Sequence, residues 1–162
     1  MKICNLLLLL SVCLLPLHAQ KKEALPELRI AHTEAGTNAC MPGLSQLSLR
    51  ATLRNPTPDT LRFWLMNCSV SDNFCTDNPD VSLCTEFCFK NAPRLYQLAP
   101  AETLSLDLGL YLPDGGKKYT FRIGYYHVSR SESAFGELRT LLEQRKKDKV
   151  KPLWSNRLTS IL

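Results

Sequence analysis

The stretch Thr103–Leu112, "TLSLDLGLYL", alternates strictly. Leu104, Leu106, Leu108, Leu110 and Leu112 fall on one face; Thr103, Ser105, Asp107, Gly109 and Tyr111 fall on the other. A period of two is the pattern of a strand with one face buried and one face wet. A run of this length predicts a strand that carries much of a core. "PDGG" (Pro113–Gly116) follows as its turn, because Pro and Gly preset the dihedrals a turn needs.

The same period appears on both sides. In "QLSLRATLR" (Gln46–Arg54), Leu47, Leu49, Ala51 and Leu53 oppose Ser48, Arg50, Thr52 and Arg54, and "NPTPD" (Asn55–Asp59) makes the next turn. "TLRFWLMNC" (Thr60–Cys68) is apolar on both faces from Phe63 to Met66, as a strand covered on both sides would be. In "KYTFRIGYYHV" (Lys118–Val128), Tyr119, Phe121, Ile123 and Tyr125 are in phase. Weaker strands are "ELRIAH" (Glu27–His32), "RLYQL" (Arg94–Leu98) and a short one around Val81 to Phe89. Short strands with turn signals between them predict an all-β antiparallel sandwich of about seven strands.

One segment departs from the pattern. Phe135, Leu138, Leu141 and Leu142 recur at helical spacing, so a helical insertion is expected over 133–149, with Ser133 as N-cap. Arg145 to Lys151 is nearly all charge, and Pro152 stops it. "LWSNRLTSIL" (153–162) is read as the final strand, which would cover a sheet edge, over a helical stripe of Trp154, Leu158 and Leu162.

The N-terminus has the layout of a secretory signal peptide. Lys2 is its positive region, Leu6 to Leu15 its apolar run, and Leu17-His18-Ala19 its cleavage site. A lipoprotein signal would acylate Cys13, but Val12 is bulky for such a site and more apolar sequence follows. Cleavage after residue 19 leaves residues 20–162, about 143 residues, an ordinary size for one domain. The formal charge is +5, falling by one with Lys2. That mild value serves solubility more than any partner choice, and no nucleic-acid partner is expected.

The segments "LRATLRNPTPDTLRFWLMNCS", "DNPDV", "CFKNAPRLYQLAPAETLSLDL", "YTFRIGYY" and "LWSN" together resemble a group of small exported bacterial proteins of unassigned function. That resemblance implies an immunoglobulin-like β-sandwich with a terminal strand at Trp154. It brings no catalytic residue. The helix before the last strand looks like an enlarged loop.

Five cysteines remain after cleavage: Cys40, Cys68, Cys75, Cys84 and Cys88. Their spacings are not those of zinc sites, which use close pairs such as C-x2-C. Cys84-Thr-Glu-Phe-Cys88 is one residue too long for a thioredoxin-type redox pair. Asp72, Asn73, Asp77, Asn78 and Asp80 lack EF-hand order and read as turns beside Pro79. Disulfides are the remaining reading, in a compartment where they persist. The expectation is a nested pair, Cys68–Cys88 around Cys75–Cys84, with Cys40 as the free thiol, although five cysteines allow many pairings. No metal or other cofactor is expected.

His32 and His127 each sit on a strand, there is no G-x-S-x-G elbow, and the sequon Asn67-Cys68-Ser69 is idle in bacterial export. The basic run offers a membrane-surface contact over 135–151; packing of its apolar stripe on the domain is the preferred alternative. The function expected is an exported, non-enzymatic binding or scaffold module of the cell envelope, meeting protein or glycan through its end loops. The alternatives are a proteinase inhibitor with a rigid Cys68–Cys88 loop, faintly suggested by "LAPAE", and a hydrolase whose site assembles only in three dimensions.

Overall fold

A computed structural model describes residues 24–33, 45–85, 90–112, 117–132 and 137–161. The chain is mostly β, with one helix near its C-terminus, and its strands form several small antiparallel sheets. The largest sheet contains β1 (Glu27–His32), β2 (Ser45–Arg54), β7 (Thr103–Leu112) and β5 (Ser82–Leu83), in the order β1-β2-β7-β5. β3 (Leu61–Met66) pairs with β6 (Pro93–Leu98). β9 (Ile123–Tyr125) lies between β10 (Leu153–Trp154) and β4 (Phe74–Thr76), and β8 (Lys118–Phe121) pairs with β11 (Leu158–Ile161).

The alternation in Thr103–Leu112 carries through to burial. β2 and β7 pair along their whole length, from Ser45↔Leu112 to Arg54↔Thr103. Leu49, Ala51, Leu53, Leu110 and Leu112 are fully buried. They join Phe63, Leu65, Phe121, Ile123 and Tyr125 in one core cluster. Each large apolar side chain buried in this way contributes about 1.5–3 kcal/mol. "PDGG" lies outside the described residues.

The strand expected over Lys118–Val128 breaks at Arg122. Its backbone N–H and its Nε both donate to Asp77, at 2.6 and 2.8 Å. The final strand breaks in the same way, at Ser155–Arg157 between β10 and β11. There Ser155 Oγ accepts from Ile123 N–H at 3.0 Å. These breaks help raise the count to eleven short strands among the described residues, against the seven read from periodicity. Beyond β9 the chain continues along β3: Trp64 N–H donates to Val128 O, and Phe63 bridges Ser129.

The helix α1 spans Leu138–Lys147 and begins after Glu137; Ser133 and Phe135 lie outside the described residues. Leu138 and Leu142 are buried against Met66, Tyr126 and Val128, with Trp64, Cys75 and Leu141 packed around them. The apolar stripe of the helix is therefore used inside the molecule. It also explains why Trp64 and Met66 are apolar on the outer face of β3. Arg145 fastens the last turn by donating to the His127 carbonyl and to Glu132. Among the described residues no helix is long and apolar enough to cross a membrane.

Three asparagines hold the irregular parts. Asn55 is fully buried; its Nδ2 donates to the Asp59, Leu98 and Ala99 carbonyls, and its Oδ1 accepts from Thr57 N–H at 2.9 Å. Asn73 Oδ1 accepts from Met66 N–H at 3.0 Å. Asn156 does the same for β1. Buried backbone polar groups need such partners.

Candidate functional site

The cysteine stretch comes first. Cys68 and Cys84 are disulfide-bonded, whereas Cys75 is a free thiol. This corrects the nested scheme, in which Cys75 pairs with Cys84. Cys75 sits on β4 opposite Gly124, while Cys84 lies just past β5 and its N–H donates to Gly109 O on β7. Cys40, the expected free thiol, and Cys88, the expected partner of Cys68, lie outside the described residues.

Cys75 is half-buried beneath α1. Burial pushes its thiol pKa up, while a hydrogen bond with Tyr126 and the charge of Lys146 pull it partway back. Burial, with the Cys75 contact, pushes the Tyr126 phenol up to about 12. Both groups therefore keep their protons at neutral pH, the opposite of what a nucleophilic or redox thiol needs. Gly124 lies directly under this cluster. A Cβ there would meet Cys75 Sγ and Pro152 Cγ at 2.8 Å and Trp154 Cζ3 at 2.9 Å.

The acids around the cysteines have separate partners. Asp72 accepts from Ser69 Oγ at 2.5 Å, Asp77 pairs with Arg122 at 2.8 Å, and Asn78 Oδ1 accepts from Asp80 N–H at 2.9 Å. Burial pushes the Asp77 carboxyl up, but the Arg122 hydrogen bonds and charge outweigh it and hold the group below the usual carboxylate range. Among the described residues no group of three or more His, Cys, Asp or Glu could hold a metal ion. Asp77, Asn78 and Asp80 lie in turns as read, whereas Asp72 and Asn73 belong to a short 3-10 helix, Val70–Asn73.

The histidines are apart in the fold. His32 is exposed at the end of β1. His127 is buried, with its ring 5.6 Å from Phe63 and 5.9 Å from Tyr125. Beside it, Glu132 is pushed up by burial, but Ser129 N–H and the Arg145 charge bring it below its ordinary value. This is a fastening for the helix and the preceding turn.

Among the described residues, a candidate contact feature lies at the sheet edge. A groove of about 560 Å³ runs beside β1, open to solvent and lined by Leu28, Arg29, Ile30, Ala31, Thr52 and Asn156. Asn156 closes one wall. Its Oδ1 accepts from Ile30 N–H at 2.8 Å and its Nδ2 donates to Ile30 O at 3.0 Å. Strand backbones present alternate residues to the same side, so the N–H and C=O of Leu28 and His32 face outward with those of Ile30. Arg29 and Ala31 lie on the exposed face of β1, and Arg29 makes no ion pair among the described residues. Neither Arg29 nor Asn156 stands out in the sequence. The groove depends on a register between residues far apart in the chain.

No family model matches the chain, and no curated protein matches it. Among solved structures it is similar to the crystal structure of a FixG-related protein from Vibrio parahaemolyticus, at 13% identity and a TM-score of 0.36. The match covers 67% of this chain and 86% of that one. It is a distant likeness to a β-rich fold.

Proposed function

We propose that the chain is an exported, non-enzymatic binding or scaffold module of the bacterial envelope, built as an immunoglobulin-like β-sandwich. In this reading the β1-β2-β7-β5 sheet faces the smaller sheets across the common core. The contact site is the groove beside β1, and that groove is the observation that carries the reading. Asn156 already holds the Ile30 backbone, so a partner strand could not add to β1 there without displacing it. The partner instead enters by side chains on the exposed face: a small apolar group against Ala31 and a carboxylate toward Arg29. The acids support the non-enzymatic part, since Glu27, Asp77, Asp107, Glu132 and Glu143 each pair with an arginine.

The test compares wild type with Ala31→Arg as baits in an envelope fraction, alongside a turnover screen on ester, peptide and glycoside substrates. The reading expects a partner held by wild type and lost with Ala31→Arg, and no turnover. Reproducible turnover, or capture that ignores the substitution, would overturn it.

A further inference from the structure

The end of α1 contains a residue of the wrong type for its backbone. Lys149 has φ 54°, the left-handed conformation in which glycine is the usual occupant. Its N–H donates to Lys146 O and the Val150 N–H donates to Arg145 O, the paired bonds of a Schellman turn. In such turns the residue after the left-handed position normally packs back on the helix. Here that residue, Val150, is 43% exposed. The turn reverses the chain after the last helical turn, and Lys146, Lys147, Lys149 and Lys151, the lysines nearest Val150 in sequence, are all exposed; the charge of Lys146 also reaches Cys75 beneath the helix. Arg145 is engaged with Glu132 and stands outside the set. None of the four lysines joins an ion pair among the described residues, and Asp148 is the one acid within the turn.

We infer that this lysine-rich tip docks on the headgroups of an anionic lipid surface, with Val150 entering the boundary between headgroup and acyl chain. The exposed positive charge supplies the complementarity, and Val150 selects the source. A polysaccharide or nucleic acid would match the lysines and offer nothing to an exposed apolar tip. Insertion is shallow, because Leu138 and Leu142 are buried in the domain and the helix face is not available to lipid. Each lysine near an anionic leaflet is worth about fivefold in affinity, so the set gives weak, salt-sensitive attachment. This second contact goes beyond the binding-module reading and stands without the groove.

The test is flotation of the full chain with vesicles of phosphatidylcholine alone or mixed with phosphatidylglycerol. The N-terminal segment, with its own Lys2, Lys21 and Lys22, is common to wild type and variant, so the change in the anionic preference between the two proteins is the readout. Binding at least about tenfold tighter to the anionic vesicles is expected, with release at high salt. Replacing Lys146, Lys147, Lys149 and Lys151 by Gln should cut the anionic preference at least about tenfold, and Val150→Asp should weaken it with the fold intact by circular dichroism. Equal binding to both vesicles would overturn the inference, as would an unchanged glutamine variant. So would an inert Val150→Asp together with full competition by an acidic polysaccharide. Partner capture through the groove should be unaffected by the glutamine variant, which separates failure here from failure of the groove.

Discussion

The side-chain amide of Asn156 holds both backbone polar groups of Ile30, accepting its N–H at 2.8 Å and donating to its carbonyl at 3.0 Å. One residue thus stands in for a strand partner on the outer edge of β1, and the chain leaves its last strand to place it there. Asn156→Ala should cost about 1–2 kcal/mol, since two backbone groups lose their partner at a partly wet edge. Asn156→Asp, which keeps the acceptor and loses the donor, should fall between. Urea denaturation of the three proteins measures this; equal midpoints would show that water replaces the amide without loss.

Gly124 is where three strands crowd one backbone position. Gly124→Ala should destabilise by about 1–3 kcal/mol, because the new methyl meets Cys75, Pro152 and Trp154 together. Removing one neighbour should relieve part of that cost, so Gly124→Ala combined with Cys75→Ala should be more stable than the sum of the single changes. A double-mutant cycle with no coupling would contradict this packing.

Cys75 should be a labelled thiol of the oxidised protein, with Cys68 and Cys84 protected from the label. Its labelling should be slow near about pH 8 and should quicken at higher pH, because the folded thiol holds its proton above the ordinary range. The linkage sign follows. A folded-state pKa above the unfolded one contributes stability that is present below the unfolded value and lost as pH rises through the folded one. Wild type should therefore lose stability on the alkaline side faster than Cys75→Ala. Mass mapping that places the label on Cys68 or Cys84 and not on Cys75 would contradict the assignment.

Tyr125 is fully buried, and its hydroxyl has no hydrogen-bond partner among the described residues. Burial raises its pKa strongly, so it stays a neutral phenol. Tyr125→Phe deletes a desolvated hydroxyl and keeps the ring contacts with Phe63 and Phe74. It should leave stability unchanged or raise it by up to about 1 kcal/mol. A clear loss in thermal or urea unfolding would mean that the hydroxyl is paired.

The long strands were legible because one face is buried and the other is wet. Leu108, Leu110 and Leu112 on β7, and Leu49, Ala51 and Leu53 on β2, follow the alternation into the core. The helix was legible from Leu138 and Leu142, and the apolar outer face of β3 already implied a cover. The breaks at Arg122 and at Ser155–Arg157 were not legible. They are set by Asp77, Ile123 and Ile30, residues distant in the chain whose pairing no local pattern encodes. The same limit applies to the cysteines: spacing in sequence does not say that Cys75 joins β4 under the helix while Cys84 reaches β7. The groove was invisible for this reason too, since Arg29, Thr52 and Asn156 meet only through register.

Site-specific photocrosslinking from the groove tests the binding-module account most directly. A benzophenone side chain placed at Ala31 or at Thr52 in the exporting cell should give one discrete adduct, shared by both positions. The same probe at Gln97, on β6, should give none. Adducts of equal yield from all three positions, or none from the groove while the protein is folded and exported, would contradict the account.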